Sequence, residues 1–195
     1  MNKPNRPFAS DLRDMAYVPR WAIARRNRQQ YLAEHSYFVA VYADQIARMI
    51  EWKGDFAELL RVALYHDIDE TITGDIPGPA KRAAWNKGRA EETFGPLMRD
   101  KYGSDVVDLR SFASGEVRAI VSAADSIDEV AYLYEEVMLG NTWVSPVLKE
   151  AKARLSKRWK ELPAHPDLLD HLYEQYVMTI SIHQMNHSIL LKDAL

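Results

Sequence analysis

The sequence predicts an all-α protein, and three observations support this class. Apolar residues recur every three or four positions along most of the chain, which is the period of one helix face. Glycine and proline cluster between the periodic segments, where turns are expected. No segment alternates apolar and polar residues as a half-buried strand does. With 195 residues, of which 47% are hydrophobic, the chain is expected to form a single helical domain over residues 1–195, with a helical extension from about residue 145.

The first two predicted helices carry ionisable residues beside their apolar faces. The first runs from Leu32 to Trp52 and has His35 on its apolar face. The second begins at about Phe56 and ends near the adjacent pair His66-Asp67. Adjacent residues of a helix point about 100° apart, so both members of this pair reach one ion only beyond the helix end.

The remaining elements follow from turn formers and apolar spacing. Residues 73–79, TGDIPGP, contain two prolines and two glycines and must interrupt helix. A polar helix pair is expected next, with its break at Gly95-Pro96. The long helix that begins at Ser114-Gly115-Glu116 closes at Gly140-Asn141. Two further helices are predicted, at Val147 to Leu162 and at Pro166 to Leu190.

Composition excludes several classes of function. The net charge is −3, so no global field favours a nucleic acid polymer or an anionic membrane. The chain has no cysteine, which leaves histidine and carboxylate as its strong metal ligands. No apolar stretch approaches the roughly 18–20 residues that span a bilayer, and the N-terminal segment lacks the apolar region of a signal peptide. A cytoplasmic protein is therefore expected.

Three predicted helices each place a potential metal ligand on an inward face. His35, the pair His66-Asp67 and Asp125 of the long helix are these residues. An ionised carboxylate on an apolar face costs several kcal/mol unless it is paired or bound to a metal. The two histidines and two aspartates suit Mn, Co, Fe, Zn or Mg. A hydrogen-bonded core histidine, or an ion pair of Asp125 with an arginine such as Arg118, is the alternative.

The motifs around these residues resemble those of the HD-domain phosphohydrolases. They are AEHSYFVAVYA, ALYHDIDETITGDIPGPAK and SAADSIDEVAYLYEEVMLGN, preceded by the pair Arg20-Trp21. Within that superfamily the sequence is most similar to the bacterial 5'-deoxynucleotidases and related phage deoxynucleotide phosphohydrolases. The resemblance covers about residues 20–141 and implies an HD-domain helical bundle.

The resemblance also implies a cofactor and catalytic residues. A divalent metal ion, Co, Mn, Zn or Mg, is expected to be held by four side chains: His35, His66, Asp67 and Asp125. Water activated by this ion would attack phosphorus in line. Glu70, one helical turn after the pair His66-Asp67, would move the proton. Asp75, in the following turn, would position water or the sugar.

Arg20 and Trp21 resemble the substrate arm of the family. Arg20 would bind the phosphate with its guanidinium fork. Trp21 would press against the sugar and leave no space for a 2'-hydroxyl, and Ile23 would line the base pocket. The alternative is that Trp21 is a core residue and Arg20 a surface residue, neither of which contacts substrate. A group of basic residues is expected to bind any further phosphates: Arg25, Arg26, Arg28 and Lys81. The alternative is that this group is a solvated surface.

The expected reaction is hydrolysis of a 2'-deoxynucleotide by water attack at the 5' phosphorus. A monophosphate would release phosphate, and a triphosphate such as dATP would release triphosphate. Water attacks the same phosphorus in both, so the metal motif does not separate them. The rivals are an alarmone or cyclic-nucleotide hydrolase, which carries further motifs or histidines, and a non-catalytic binding module, which would lack a ligand or Glu70. Relatives assemble as dimers or larger rings, so a homo-oligomer is expected.

Overall fold

The structure is a computed structural model that describes residues 10–85, 89–103, 106, 109 and 113–177. Within these residues the ordered elements are helical, and Pro19 and Tyr31 form an isolated bridge. The all-α class is thereby confirmed. The α-helices are α1 (Leu32–Met49), α2 (Phe56–Tyr65), α3 (Glu70–Thr73), α4 (Gly78–Trp85), α5 (Arg89–Tyr102), α6 (Gly115–Met138), α7 (Ser145–Trp159) and α8 (Pro166–Leu172).

Helix ends follow the capping residues of the sequence. The Asp55 side chain accepts hydrogen bonds from the backbone N–H groups of Ala57 and Glu58, and it thereby begins α2. Ser114 accepts from the N–H of Val117 at the start of α6. Gly140 adopts a φ of 87° just beyond α6, a conformation that glycine tolerates and most residues avoid.

Helix α6 lies at the centre of the bundle. It packs against α1, α2 and α7, and its apolar residues belong to one continuous core. Leu59 of α2, Leu133 of α6 and Leu155 of α7 are almost fully buried in that core. The segment after residue 145 therefore shares the core of the preceding helices, which supports the expectation of one domain. That expectation stays a prediction.

The predicted break at Gly95-Pro96 is wrong, because α5 continues through Pro96. A proline removes one hydrogen bond from a helix. Pro96 is exposed, and the helix continues on both sides of it. Residues 86–88, between the end of α4 at Trp85 and the start of α5 at Arg89, lie outside the described residues.

The chain ends also differ from prediction. A 3-10 helix at Ser10–Tyr17 was not predicted. The last helix, predicted to reach Leu190, is an α-helix to Leu172 and a π-helix over Tyr173–Val177, and its remainder lies outside the described residues. Over the part of the chain that the structure describes, no helix is long and apolar enough to cross a membrane.

Candidate active site

The four predicted metal ligands lie together between α1, α2 and α6. His35, His66 and Asp125 each offer one ligand atom, and these atoms lie within 4.8 Å of one another. Nε2 of His35 is 3.2 Å from Nε2 of His66 and 3.4 Å from Oδ1 of Asp125. Oδ2 of Asp67 borders the same point, 3.3 Å from His66 Nε2 and 3.9 Å from His35 Nε2.

Local structure explains how neighbouring residues reach one point. Helix α2 ends at Tyr65, and a turn over residues 66–69 follows it. His66 and Asp67 therefore lie beyond the regular helix, where both side chains can face the same side. His35 lies in the first turn of α1 and is fully buried, whereas Asp125 lies in the middle of α6.

When both histidines are neutral, their tautomers leave both inner nitrogens without a proton. Nδ1 of His66 donates to the carbonyl of Ala63 at 2.7 Å, because a carbonyl only accepts. Nδ1 of His35 is 2.6 Å from Oδ2 of Asp128, an acceptor when ionised. In neutral rings the two Nε2 lone pairs then face each other at 3.2 Å. Only a proton or a cation satisfies that arrangement, so the residues fit a divalent metal ion.

Charge around the cluster keeps its aspartates ionised. Burial alone would raise the pKa of Asp67, but the neighbouring His66 and Lys81 outweigh burial and hold it well below its ordinary value. Burial would also raise the pKa of Asp125, but the hydrogen bond with His35 and the charges of His35 and His66 together outweigh burial and lower it. Burial and the nearby Arg20 would lower the pKa of His35, yet its hydrogen bonds to carboxylates raise it. The chain therefore presents carboxylates ready for a cation.

Glu70 lies beside the ligands, but its pKa is shifted upward, whereas the pKa values of the two aspartates are shifted downward. Its side chain is 2% exposed, and burial together with Asp67 raises the pKa of Glu70 to about 8. Lys81 Nζ bridges the two acids, 2.9 Å from Asp67 Oδ1 and 2.9 Å from Glu70 Oε1. Arg20 Nη1 lies 3.5 Å from Asp67 and 3.9 Å from Glu70. Neighbouring carboxylates whose pKa values diverge are typical of general acid–base catalysis.

Trp21 is held next to this cluster by its backbone and its ring. It has a φ of 62°, in the left-handed region that non-glycine residues rarely adopt. The backbone N–H of Trp21 donates a hydrogen bond to Oδ2 of Asp75 at 2.6 Å. The indole ring stacks on Tyr132 with centroids 5.2 Å apart and an interplanar angle of 9°. The structure therefore brings Arg20, Trp21, Asp75 and Lys81 to the candidate site.

Ile23 and the three nearby arginines are not brought to the cluster. Ile23 is 81% exposed, because it lies in the turn that the Ala24 N–H closes onto the Trp21 carbonyl. No described residue packs over this side chain, and its role in lining the base pocket stays a prediction. The arginines contact other groups: Arg25 lies over Trp143, Arg26 donates to Gln29 and the Trp21 carbonyl, and Arg28 pairs with Glu34 and Glu135.

Sequence reasoning missed the residues that orient the predicted ones. Asp128 accepts from His35, and Arg158 Nη1 donates to Asp125 Oδ2 at 2.8 Å. The Asp125 ion pair therefore exists, but with Arg158 of α7 instead of Arg118. Asp128 follows Asp125 by three positions, which places both acids on one helix face, and that spacing was the available signal. Nothing in the local sequence marks Arg158.

Known proteins share this fold. The cyanophage S-2L HD phosphohydrolase DatZ, solved with dA and one catalytic Zn2+ ion, superimposes with a TM-score of 0.68 at 20% identity, covering 87% of this chain and 94% of that chain. The helical bundle and the cluster of two histidines and two aspartates define the class: the chain is an HD-domain phosphohydrolase.

Within this class the chain belongs to the YfbR-like family of 5'-deoxynucleotidases, which it matches over residues 7–176. A 5'-deoxynucleotidase of Pectobacterium atrosepticum is 28% identical over 189 residues, covering 90% of this chain and 92% of that protein. The 5'-deoxynucleotidase YfbR of Salmonella typhi is 30% identical over 164 residues, covering 77% and 80%. The expected family is confirmed.

Proposed function

We propose that the protein is a metal-dependent 5'-deoxynucleotidase that converts a deoxynucleoside 5'-monophosphate into deoxynucleoside and phosphate. The observation that carries this proposal is the convergence of four ligand side chains in a chain that matches the 5'-deoxynucleotidase family over residues 7–176. His35, His66, Asp67 and Asp125 would hold the ion. A bound divalent ion supplies polarisation of the phosphoryl oxygen and a lowered pKa of water.

Glu70 is the proposed proton carrier. Its pKa of about 8 lies near neutrality, so it can both accept and return a proton at physiological pH. Oε2 of Glu70 is buried and makes no hydrogen bond to any described residue. That oxygen is the acceptor available to the attacking water, whereas Oε1 is held by Lys81 at 2.9 Å.

Arg20 and Lys81 are the proposed phosphate-binding cations. Their side chains are 12% and 26% exposed, and both contact Asp67 and Glu70. A substrate phosphate placed beside these acids would meet both cations without large movement. Asp75 acts through its hydrogen bond to the Trp21 backbone, so we assign it to positioning Trp21 against the sugar.

The arrangement of basic residues favours the monophosphate over the triphosphate. The additional phosphates of a triphosphate need further cations, for which the sequence predicts Arg25, Arg26, Arg28 and Lys81, and Lys81 is now assigned to the single phosphate. Arg28 instead forms ion pairs with Glu34 and Glu135, at 2.5 Å and 2.9 Å. A triphosphate would have to draw Arg28 away from both glutamates, whereas Arg20 and Lys81 already lie beside the ligand cluster.

The rival functions lack support in the described residues. A hydrolase with a larger metal cluster needs additional inward histidines or acids, and one candidate group of metal ligands is found over the residues that the structure describes. A non-catalytic binding module would tolerate loss of a ligand or of Glu70. All of these residues are present and converge.

A direct assay tests the proposal. The purified protein is stripped with a chelator, reloaded with Co, Mn, Zn or Mg, and assayed for phosphate and triphosphate release from dNMPs, NMPs and dNTPs. We expect phosphate from dNMPs and little from NMPs. Triphosphate release from dATP as the main reaction would move the substrate to the triphosphates. Equal hydrolysis of NMPs and dNMPs would remove the role of Trp21, and no hydrolysis with any metal would refute the proposal.

Assembly and location are parts of the same proposal. Two apolar side chains near the substrate arm, Ile23 and Trp143, are 81% and 70% exposed, which supports a homo-oligomer that covers them. Light scattering on the wild type and on Trp143→Arg tests this, since the variant should shift toward the monomer. The expected cytoplasmic location stays a prediction that cell fractionation checks.

A further inference from the structure

Gln30 joins Trp21 to a candidate metal ligand through an unbroken series of hydrogen bonds. Its side chain is 1% exposed. Oε1 of Gln30 accepts from the indole N–H of Trp21 at 3.0 Å, and its Nε2 donates to Oδ2 of Asp128 at 2.8 Å. The same Asp128 oxygen lies 2.6 Å from Nδ1 of His35, whose other nitrogen faces the metal cluster.

The chemistry of the neighbours fixes the orientation of the Gln30 amide. The indole N–H of Trp21 only donates, so it must meet the amide oxygen. The carboxylate of Asp128 accepts, so it must meet the amide nitrogen. A reversed amide would break both bonds inside the protein, where unmet polar groups are costly. Gln30 therefore holds both partners in one arrangement.

Stacking alone does not fix the position of the Trp21 ring. The near-parallel contact with Tyr132 restrains the ring plane but permits sliding and rotation within that plane. The bond to Gln30 fixes the N–H edge of the indole within the plane. The left-handed φ of 62° at Trp21 adds strain, so the residue keeps its place only because its surroundings hold it.

We propose that Gln30 is a positioning residue for sugar specificity: it sets the distance between the Trp21 ring and the metal ligand His35. This proposal rests on the proposed function, in which Trp21 excludes a 2'-hydroxyl. Exclusion of one oxygen atom depends on displacements smaller than its own diameter, so a ring that can slide admits a ribonucleotide. The hydrogen bond from Gln30 to Asp128, which also contacts His35, fixes the position of the ring relative to the candidate metal ligands.

The test compares Gln30→Met with the wild type. Methionine has a similar length and is flexible enough to fill the space, but it forms neither hydrogen bond. The readouts are kcat/KM for a dNMP and for the NMP with the same base, at saturating Co2+, and the Kd for Co2+ by calorimetry. We expect the deoxy-to-ribo ratio of kcat/KM to fall about tenfold, which corresponds to about 1.4 kcal/mol and lies within the range of one hydrogen bond.

Gln29→Met is the matched control. Gln29 lies in the same loop and donates to the carbonyls of Arg20 and Gln30, and none of its hydrogen bonds to described residues involves the indole. Loosening the loop at this position should affect dNMP and NMP alike, so the ratio should stay within about twofold of the wild type. A folded Gln30→Met that keeps the wild-type ratio, or an equal loss of ratio in Gln29→Met, overturns the role of Gln30.

A second variant decides the matter if Gln30→Met does not fold. Gln30→Glu keeps an acceptor for the indole but turns an oxygen toward Asp128. Because the link from Gln30 through Asp128 to His35 is then broken, we expect the deoxy-to-ribo ratio of kcat/KM to fall as in Gln30→Met, and a folded Gln30→Glu with the wild-type ratio overturns the proposal. A wild type without deoxynucleotide preference or phosphate release would instead refute the proposed function, so the two failures are distinguishable.

Discussion

Arg158 of α7 holds the outer oxygen of Asp125 while the inner oxygen of the same carboxylate faces His35. Nη1 of Arg158 lies 2.8 Å from Asp125 Oδ2 and 2.8 Å from Oγ of Ser126. Oδ1 of Asp125 lies 3.4 Å from His35 Nε2. The helix that the sequence suggested as an extension thus orients one of the candidate metal ligands.

Arg158→Met should weaken metal binding. Without the guanidinium, the Asp125 carboxylate can rotate away from the ligand cluster, and loss of such a partner typically costs 10–100-fold in affinity, so we expect at least about tenfold. Calorimetric titration with Co2+ measures this. The matched control is Arg154→Met, which removes an ion pair to Glu129 between the same two helices but away from the cluster. Equal Kd values in the two variants would contradict the prediction.

Glu70→Gln should retain the metal and lose turnover. The amide cannot carry the proton, and general acid–base catalysis contributes about 10²–10⁴-fold. Steady-state phosphate release and Co2+ titration are measured on the same sample. His66→Ala should lose both properties, because it removes a candidate ligand. A fully active Glu70→Gln would show that another group moves the proton.

Glu136→Gln should destabilise the protein in a pH-dependent manner. Glu136 is fully buried and accepts from the N–H groups of Asn27 and Arg28, each at 2.7 Å, and from Asn141 Nδ2. Burial would raise its pKa, but these hydrogen bonds lower it below the ordinary value. A pKa that is lower in the folded state contributes stability above the unfolded pKa of about 4.3, and this contribution is lost as the pH falls through the folded pKa.

We expect the variant to lose about 1–3 kcal/mol in the free energy of unfolding at pH 7. The difference from the wild type should shrink below about pH 4. Urea unfolding at pH 7, 5, 4 and 3.5 measures it. Glu135→Gln is the control, since that side chain is 44% exposed in its pair with Arg28 and should matter little. A difference that is independent of pH would refute the assignment.

Leu155→Ala should destabilise the whole chain. Leu155 of α7 is 1% exposed in the core that contains α1, α2 and α6, and removing such a side chain costs about 2–5 kcal/mol. Thermal unfolding should remain a single transition, and Co2+ release should coincide with it. Val147→Ala on the same helix is the control because Val147 is 37% exposed. Two separate transitions would show that the segment after residue 145 folds independently.

The sequence indicates the ionisable residues that lie on apolar helix faces, but it does not indicate the partners that only tertiary packing brings next to them. His35, His66, Asp67 and Asp125 stand out because ionisable residues on apolar faces demand an explanation. Their partners do not stand out: Gln30 precedes a helix, and Arg158 is one of several basic residues on α7. Only packing decides which of those basic residues meets Asp125.

The same division applies to the fold. Spacing predicted α1 and α6 well because their apolar stripes are long. Gly140 follows the end of α6, whereas α1 ends at Met49, ahead of Glu51 with a φ of 52°. The prediction of a break at Pro96 is wrong, because α5 continues through it. The sequence gives the free-energy cost of a proline inside a helix. Whether the helix persists depends on the stability of the neighbouring helical turns.

Lys81 and Arg20, which bridge Asp67 and Glu70, have a consequence for the life of the protein before it acquires an ion. Positive side chains already offset the acidic ones, so a nascent chain can complete its folding in a cell short of transition metals. We therefore expect the divalent ion to bind after folding, in a step that a chelator can reverse.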